Sequence, residues 1–539
     1  MSGQPGYSME SKTPIHKLDN DSLLQIFSRY RLEDNDNWYF RLAWRKLVQV
    51  CQRWRYLIFD SWFHLNMYLL LTNDSPSIVA LNHLPPLPLV IQYSDRARTI
   101  ARNDDDNIHL GLQQHGRLRG VILQAPSSRL RMWLEPMNKL FPRLGDLSLL
   151  STTTEETSLV LPESLQAPDL YRLSLHGIGL PKGLPLLSST TALSILSLTH
   201  IRESFYFPPG HLVTQLQGLH HLEELSIGFA IPIPLPSDEG NLLPAPIPPV
   251  TLPTLRRFTF RGMSVYLDNL VAQLNTPLLE RLDLTLLFEL VFALVNLTEF
   301  ISRTEGFGCL VAGVCFNKDG ASMGAGNYQG NYEQRVIEKL RLYVNCEPLD
   351  WQIDSATQVC SALGEVLSAV EELTLDLKVD GMPSDWEKLL DSSLWHELLL
   401  PFIGVKKLYI GSSLTPELSQ SLDSVPGGLV LQLLPELQEL NVQLEMGHSK
   451  NVFSLFVETR ESVARPVHLS VPPSQQPIQP STILAMAPDR FQSDYLQFTR
   501  SKGTGFSERD FVIDSRRINL WALHRAVFSQ HGFESVRLK

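Results

Sequence analysis

Five cysteines, Cys51, Cys309, Cys315, Cys346 and Cys360, are the first residues of this 539-residue chain to test for chemistry. A nucleophilic thiol needs a nearby base or a positive field. Cys51 lies in "LVQVCQRWRYLIFDSW", where Leu47, Val50, Cys51, Trp54, Leu57 and Ile58 recur at the spacing of one helix face. That spacing predicts a helical apolar stripe and an inert, buried thiol. No cysteine pair has CxxC spacing, and none joins a histidine at zinc-ligand spacing. His220-His221 and Asp104 to Asp106 offer no metal spacing either. The glycine-rich stretch at 317–331 contains a GxG but no following Lys-Ser/Thr, which excludes a phosphate loop. These residues form no catalytic constellation, so the chain reads as a non-enzyme with no catalytic, metal or cofactor site.

Composition narrows the classes further. A hydrophobic content of 43% and a charged content of 19% are those of a folded chain. The net charge of −11 argues against a nucleic-acid binder. The most apolar run, "LDLTLLFELVFALVNLTEF", is interrupted by Asp283, Glu289 and Glu299 and reads as no membrane span. The N-terminus is polar, without the apolar core of a signal peptide, and the sparse cysteines suit a reducing compartment. The expectation is a cytoplasmic or nuclear protein.

One phrase, apolar-x-x-apolar-x-apolar, recurs along most of the chain. Copies include "LRGVIL", "LGDLSL", "LYRLSL", "LSILSL" and "LEELSI", and the series continues to "VKKLYI" and "LQELNV". The last three residues alternate apolar, polar, apolar, as a strand does with one covered face. The segments between copies have room for one helix each. A strand and a helix repeated in parallel cannot bury their apolar edges alone and must stack. Leu147, Leu173, Leu196, Leu225, Phe258, Leu282, Leu340, Leu373, Leu408 and Leu440 should then form one buried row. The pattern resembles the leucine-rich-repeat family in an irregular form. That resemblance implies an α/β horseshoe solenoid, with a parallel concave sheet and convex helices, over residues 63–445. Two loops are expected, proline-rich at 230–253 and glycine-rich at 317–331. Residues 446–539 read as a C-terminal repeat and cap, and residues 1–12 as a disordered tail.

Upstream, "TPIHKLDNDSLLQIFSRY" carries a helix capped by Asp19 or Asn20, with Leu23, Leu24, Ile26 and Phe27 apolar. With "VCQRWR" it resembles an F-box over residues 13–62, a small all-α module, although Leu18-Asp19 stands where that family usually has Leu-Pro. Together with the repeats, the chain resembles fungal F-box proteins with leucine-rich repeats. That resemblance implies a substrate-recognition subunit of a cullin-type ubiquitin ligase, bound to a Skp-family adaptor and through it to a cullin. Leu18, Leu23, Leu24, Ile26, Phe27, Val50, Cys51 and Trp54 would contact the adaptor. The other reading is a repeat-built binding scaffold outside ubiquitination, whose F-box is degenerate.

On the concave face, the polar residue of each phrase forms a column from Ser148, Ser174, Ser197 and Ser226 through Thr259, Asp283, Cys315 and Arg341 to Tyr409. Arg257, Arg261, Arg281 and Lys339 surround Arg341, with Asp283 among them. Two readings stand side by side. The cluster either binds an acidic or phosphorylated protein target, or it is a structural salt-bridge network.

Overall fold

The computed structural model describes residues 14–32, 44–61, 68–71, 87–95, 102–153, 159–181, 185–231, 249–287, 289, 291–304, 306–328, 336–346, 348–378, 392–424, 432–444 and 452–471. Every copy of the apolar phrase contributes a strand, because its period-two alternation puts apolar side chains on one face. In chain order these are β3 (Leu118–Ala125), β4 (Asp146–Ser151), β5 (Arg172–His176), β6 (Ile195–Ile201) and β7 (Glu224–Phe229). They continue as β9 (Arg257–Gly262), β11 (Arg281–Leu287), β12 (Val311–Asn317) and β14 (Val336–Asn345). The last three are β15 (Glu372–Leu377), β16 (Lys407–Ile410) and β17 (Glu439–Val442). Four further strands join the same sheet: β1 (Leu69–Leu71), β2 (Leu89–Ser94), β13 (Gly320–Tyr328) and β18 (His468–Ser470). The result is an α/β architecture whose 16-stranded, open, mostly parallel sheet runs β1-β2-β3-β4-β5-β6-β7-β9-β11-β14-β13-β12-β15-β16-β17-β18.

The helices lie between strands and pack along one face and on one another. They are α4 (Arg102–Gln113), α5 (Ser127–Leu134), α6 (Pro185–Ser189), α7 (Pro209–Leu216), α8 (Ser264–Val271) and α9 (Val295–Ser302). The series ends with α10 (Leu349–Ala362), α11 (Gly364–Leu367), α12 (Ser392–Leu399), α13 (Thr415–Asp423) and α14 (Ser454–Ser462). Parallel strands leave the sheet at one end and must return at the other, and a helix spans that distance while covering the apolar face.

The expected apolar row is present. Leu147, Leu173, Leu196, Leu225, Phe258, Leu282 and Leu340 are consecutive cross-strand partners. Leu373, Leu408 and Leu440 follow on β15 to β17. All ten are buried. Between Leu340 and Leu373, however, the row passes through Ala325 and Ala312. The glycine-rich stretch expected as a loop is therefore corrected: Gly320–Tyr328 is β13, antiparallel to both β12 and β14. Its glycines suggest a loop by composition, yet they are what lets the backbones approach. A Cβ on Gly326 would lie 2.1 Å from the Ile337 carbonyl oxygen. Within 230–253, Val250–Thr251 (β8) pairs in parallel with Leu274–Asn275 (β10), so the C-terminal end of that expected loop is strand; residues 232–248 lie outside the described set.

Side chains of one helix also hold the start of the next. Asp268 Oδ1 accepts the backbone N–H of Asn296 at 2.8 Å and of Leu297 at 3.1 Å, while Ser264 Oγ accepts that of Ala293 at 3.0 Å. The same Ser-x-x-x-Asp spacing recurs on α13, where Ser419 and Asp423 accept from Phe453 and Phe456 at 3.0 and 2.8 Å. Each carboxylate meets the positive end of a helix dipole, whose first N–H groups have no partner inside their own helix.

Before the sheet come α1 (Asn20–Leu32), α2 (Trp44–Leu47) and α3 (Gln52–Asp60). Asp19 Oδ1 caps α1 by accepting the Ser22 N–H at 2.7 Å. The expected single helix through Leu47 to Ile58 is corrected. The chain turns at 48–50, and Cys51 is the extended N-cap residue of α3, with φ −159°. A backbone break there rotates Val50 away from Trp54, so the six apolar residues do not share one face. Leu23, Phe27, Trp54 and Ile58 join the same apolar core as the first strands.

Candidate functional site

The sheet face opposite the apolar row carries three polar columns. The central one runs Ser148, Ser174, Ser197, Ser226, Thr259, Asp283, Arg341, with Thr374, Tyr409 and Asn441 farther on. The four serines, on β4 to β7, are half-buried. Cys315 is not in this column; the position belongs to Gly313, paired with Thr374, and Cys315 pairs with Asp376. The displacement arises because buried Ala312 and Val314 pair with Leu373 and Leu375, so the apolar positions of this copy start at buried Cys309, two residues before Val311. Toward β11 to β15 this face is itself covered, since Asp283, Thr285, Cys315 and Thr374 are all buried.

Three members of the expected basic cluster, Arg257, Arg281 and Arg341, are paired with carboxylates. Arg281 donates to both oxygens of Asp283, at 2.7 and 3.1 Å, and lies 3.6 Å from Glu338. Arg341 pairs with Glu338 and approaches Asp283 at 4.0 Å. Two guanidinium groups thus face two carboxylates. Burial would lower the Arg281 pKa, but Asp283 and Glu338 outweigh it and raise it. Arg257 is paired with Glu224 on the neighbouring strand. Lys339 donates to the carbonyl oxygens of Gly306 and Gly308, which ties down the turn after α9. Of the two sequence readings, the salt-bridge network describes these contacts. Tyr409 lies on β16, four strands from Arg341, or about 19 Å at ordinary strand spacing. Arg261 is exposed on β9 in the third column.

That third column holds residues the sequence reading passed over. His176 on β5 pairs with Thr199 on β6, and its Nδ1 lies 3.0 Å from Thr199 Oγ1. Next to Thr199, His200 adopts φ +55° at a break in register between Leu198 and Ile201, and its ring stacks on His176 at 5.1 Å. Arg202 donates to the Thr153 carbonyl oxygen at 3.0 Å. Burial, then the charges of Arg202 and Arg261, hold the His200 pKa below the ordinary imidazole value. The only hint in the sequence is a histidine at the end of two adjacent phrases.

In the N-terminal helices the apolar residues divide into two sets. Leu23, Phe27 and Trp54 are interior, while Ile26 and Val50 are 44% and 58% exposed. Leu18, Leu24 and Cys51 are half-buried. Arg53 binds the turn before α1, donating to the Leu18 carbonyl oxygen at 2.6 Å and to Asn20 Oδ1 at 2.9 Å. The other four cysteines are buried, and desolvation pushes the Cys309 and Cys346 thiols up to about 11 and those of Cys315 and Cys360 to about 12. Thiols in that range are almost fully protonated near neutral pH and are poor nucleophiles. Among the described residues, no group of three His, Cys, Asp or Glu side chains could hold a metal, and no helix is long and apolar enough to cross a membrane.

Compared with protein-family models the chain matches none, and no curated protein matches it significantly in sequence.

Proposed function

We propose that this chain is the substrate-recognition subunit of a cullin-type ubiquitin ligase, with residues 13–62 acting as an F-box and the strand-and-helix repeats as a leucine-rich-repeat solenoid. The F-box binds a Skp-family adaptor, and the polar sheet face binds a target protein. The subunit adds rate by proximity, holding a target lysine near the ubiquitin carrier.

The observation that carries this reading is the division of apolar residues in the N-terminal helices. After Leu23, Phe27, Trp54 and Ile58 have filled the interior, Ile26 and Val50 remain in water. An adaptor surface would account for them, whereas a module that merely closed the end of the sheet would need no such residues. The scaffold reading keeps one argument of its own: Trp54, in the "VCQRWR" stretch that resembles the F-box, is spent on the internal core.

The test is co-purification with a Skp-type adaptor, comparing the wild-type chain with Ile26→Asp/Val50→Asp. Capture by the wild type and loss in the folded variant support the ligase reading. No capture by the wild type favours the scaffold.

A further inference from the structure

We infer that Arg53 is a positioning residue of the N-terminal helices: it clamps α3 to the turn before α1 and thereby sets how Ile26 and Val50 are presented to the adaptor. This role rests on the reading of residues 13–62 as an adaptor-binding F-box and adds the group that orders its docking surface.

Four observations converge. The first is that the exposed apolar residues stand on different elements. Ile26 belongs to α1, Val50 to the turn before α3 and Tyr56 to α3, and they are 44%, 58% and 60% exposed. One rigid partner surface covers all three only if α1 and α3 keep a fixed mutual angle. α1 ends at Leu32 and α3 begins at Gln52, so no tight turn between them imposes that angle.

The second is that apolar packing between the two helices supplies one pivot. Phe27 of α1 meets Trp54 of α3 in the interior. Apolar burial is non-directional, so this contact by itself lets the helices rotate about it.

The third is a directional clamp at a second point. Arg53 Nη2 donates to the Leu18 carbonyl oxygen at 2.6 Å and to Asn20 Oδ1 at 2.9 Å, and its Nε donates to Asn20 Oδ1 at 3.3 Å. Asn20 lies seven positions before Phe27 on α1, about 10 Å along the axis at the ordinary helical rise. Two contacts so far apart hold an angle that one cannot. Arginine suits the task, because its planar fork reaches two acceptors at once and a charged donor makes the stronger hydrogen bond.

The fourth carries the position of α3 on to Val50. Arg55 Nε donates to the Val48 carbonyl oxygen at 3.1 Å, which holds the 48–50 turn against α3. Ile26 and Val50 are thus linked through Arg53, α3 and Arg55. Helices ordered before docking lose less conformational freedom when they dock, and the saving appears as affinity.

The experiment titrates the full chain with a purified Skp-type adaptor, at a temperature where the unfolding midpoint shows every variant folded. Arg53→Gln is expected to bind roughly tenfold more weakly. Arg53→Lys keeps the charge and one acceptor and should fall between it and the wild type. Asn20→Ala/Arg53→Gln should bind no more weakly than Arg53→Gln alone, because both changes break one clamp. A second readout needs no adaptor. Spin labels are placed at Gln25→Cys and Asp60→Cys, exposed on α1 and α3, in a Cys51→Ser background. Their distance distribution should be narrow with Arg53 present and broad in Arg53→Gln. Equal breadth overturns the clamp. Broadening with unchanged adaptor affinity overturns its role in docking. Narrow distances with no adaptor capture by the wild type refute the ligase reading instead, and the docking role falls with it.

Discussion

The rings of Phe27 on α1 and Trp54 on α3 meet edge to face, with centroids 4.8 Å apart at 62°. This contact joins two residues 27 positions apart in sequence and places Trp54, the aromatic residue of the "VCQRWR" stretch, inside the protein. Truncating Trp54 therefore removes core packing.

Trp54→Ala is expected to lower stability by about 3–5 kcal/mol, as loss of a buried aromatic does. Val50→Asp, at an exposed position, should change stability by no more than about 0.5 kcal/mol while abolishing adaptor capture under the proposed function. Thermal unfolding and pull-down on the two variants check this. If Val50→Asp retained the adaptor, the exposed apolar set would not be its docking surface.

Glu289 supplies a pH signature. Its carboxylate accepts the Ser264 N–H, with both oxygens at 2.8 Å, in a buried position before α9. Desolvation outweighs that hydrogen bond and raises its pKa from 4.5 to about 6. The native state then binds more protons than the unfolded chain between those values. The associated stability, on the order of 1–2 kcal/mol, is full below about pH 4.5 and is lost as pH rises through about 6. Glu289→Gln mimics the protonated form and should flatten this part of the profile in urea unfolding. An unchanged slope would show that another group carries it.

Arg460 of α14 is fully buried, and its guanidinium donates to the carbonyl oxygens of Leu433, Leu434, Pro435 and Leu437. Arg460→Met keeps much of the apolar stem but strands those acceptors, at a cost of about 3 kcal/mol or more. Because each strand and helix here contacts mainly its neighbours in the sheet order, the loss should be local. Hydrogen exchange should accelerate in β17, β18 and α14 and stay unchanged in β3 to β6. Uniform acceleration across the sheet would contradict local docking.

Ala312 and Ala325 occupy the row that is leucine or phenylalanine on most neighbouring strands, and both are fully buried. Ala312→Leu overfills that place and should cost about 1–3 kcal/mol, read as a lower unfolding midpoint. A neutral result would mean that the strand can shift to make room.

The sequence by itself determined the row from Leu147 to Leu440 and the parallel strand-and-helix plan. Period-two alternation followed by helical spacing is a local property, and a strand with one apolar face has few ways to hide it. The cap of α1 was legible to within one residue, Asp19 or Asn20, because Asp19 acts within three residues of itself. Tertiary structure alone decided the sheet order around β12 to β14. Gly320–Tyr328 has the composition of a loop, and its strand state depends on two partners that supply its backbone hydrogen bonds. The same holds for charge. Along the chain, Arg281 and Arg341 leave a binding cluster and a salt-bridge network equally open; strand pairing sets Arg341 beside Asp283, and Glu338 completes the balance. His176 and His200 lie 24 positions apart, and their stacking depends on a register break between β6 and β7. Electrostatic sites are sums over neighbours in space, and those neighbours are fixed by strand order and register, which no local pattern encodes.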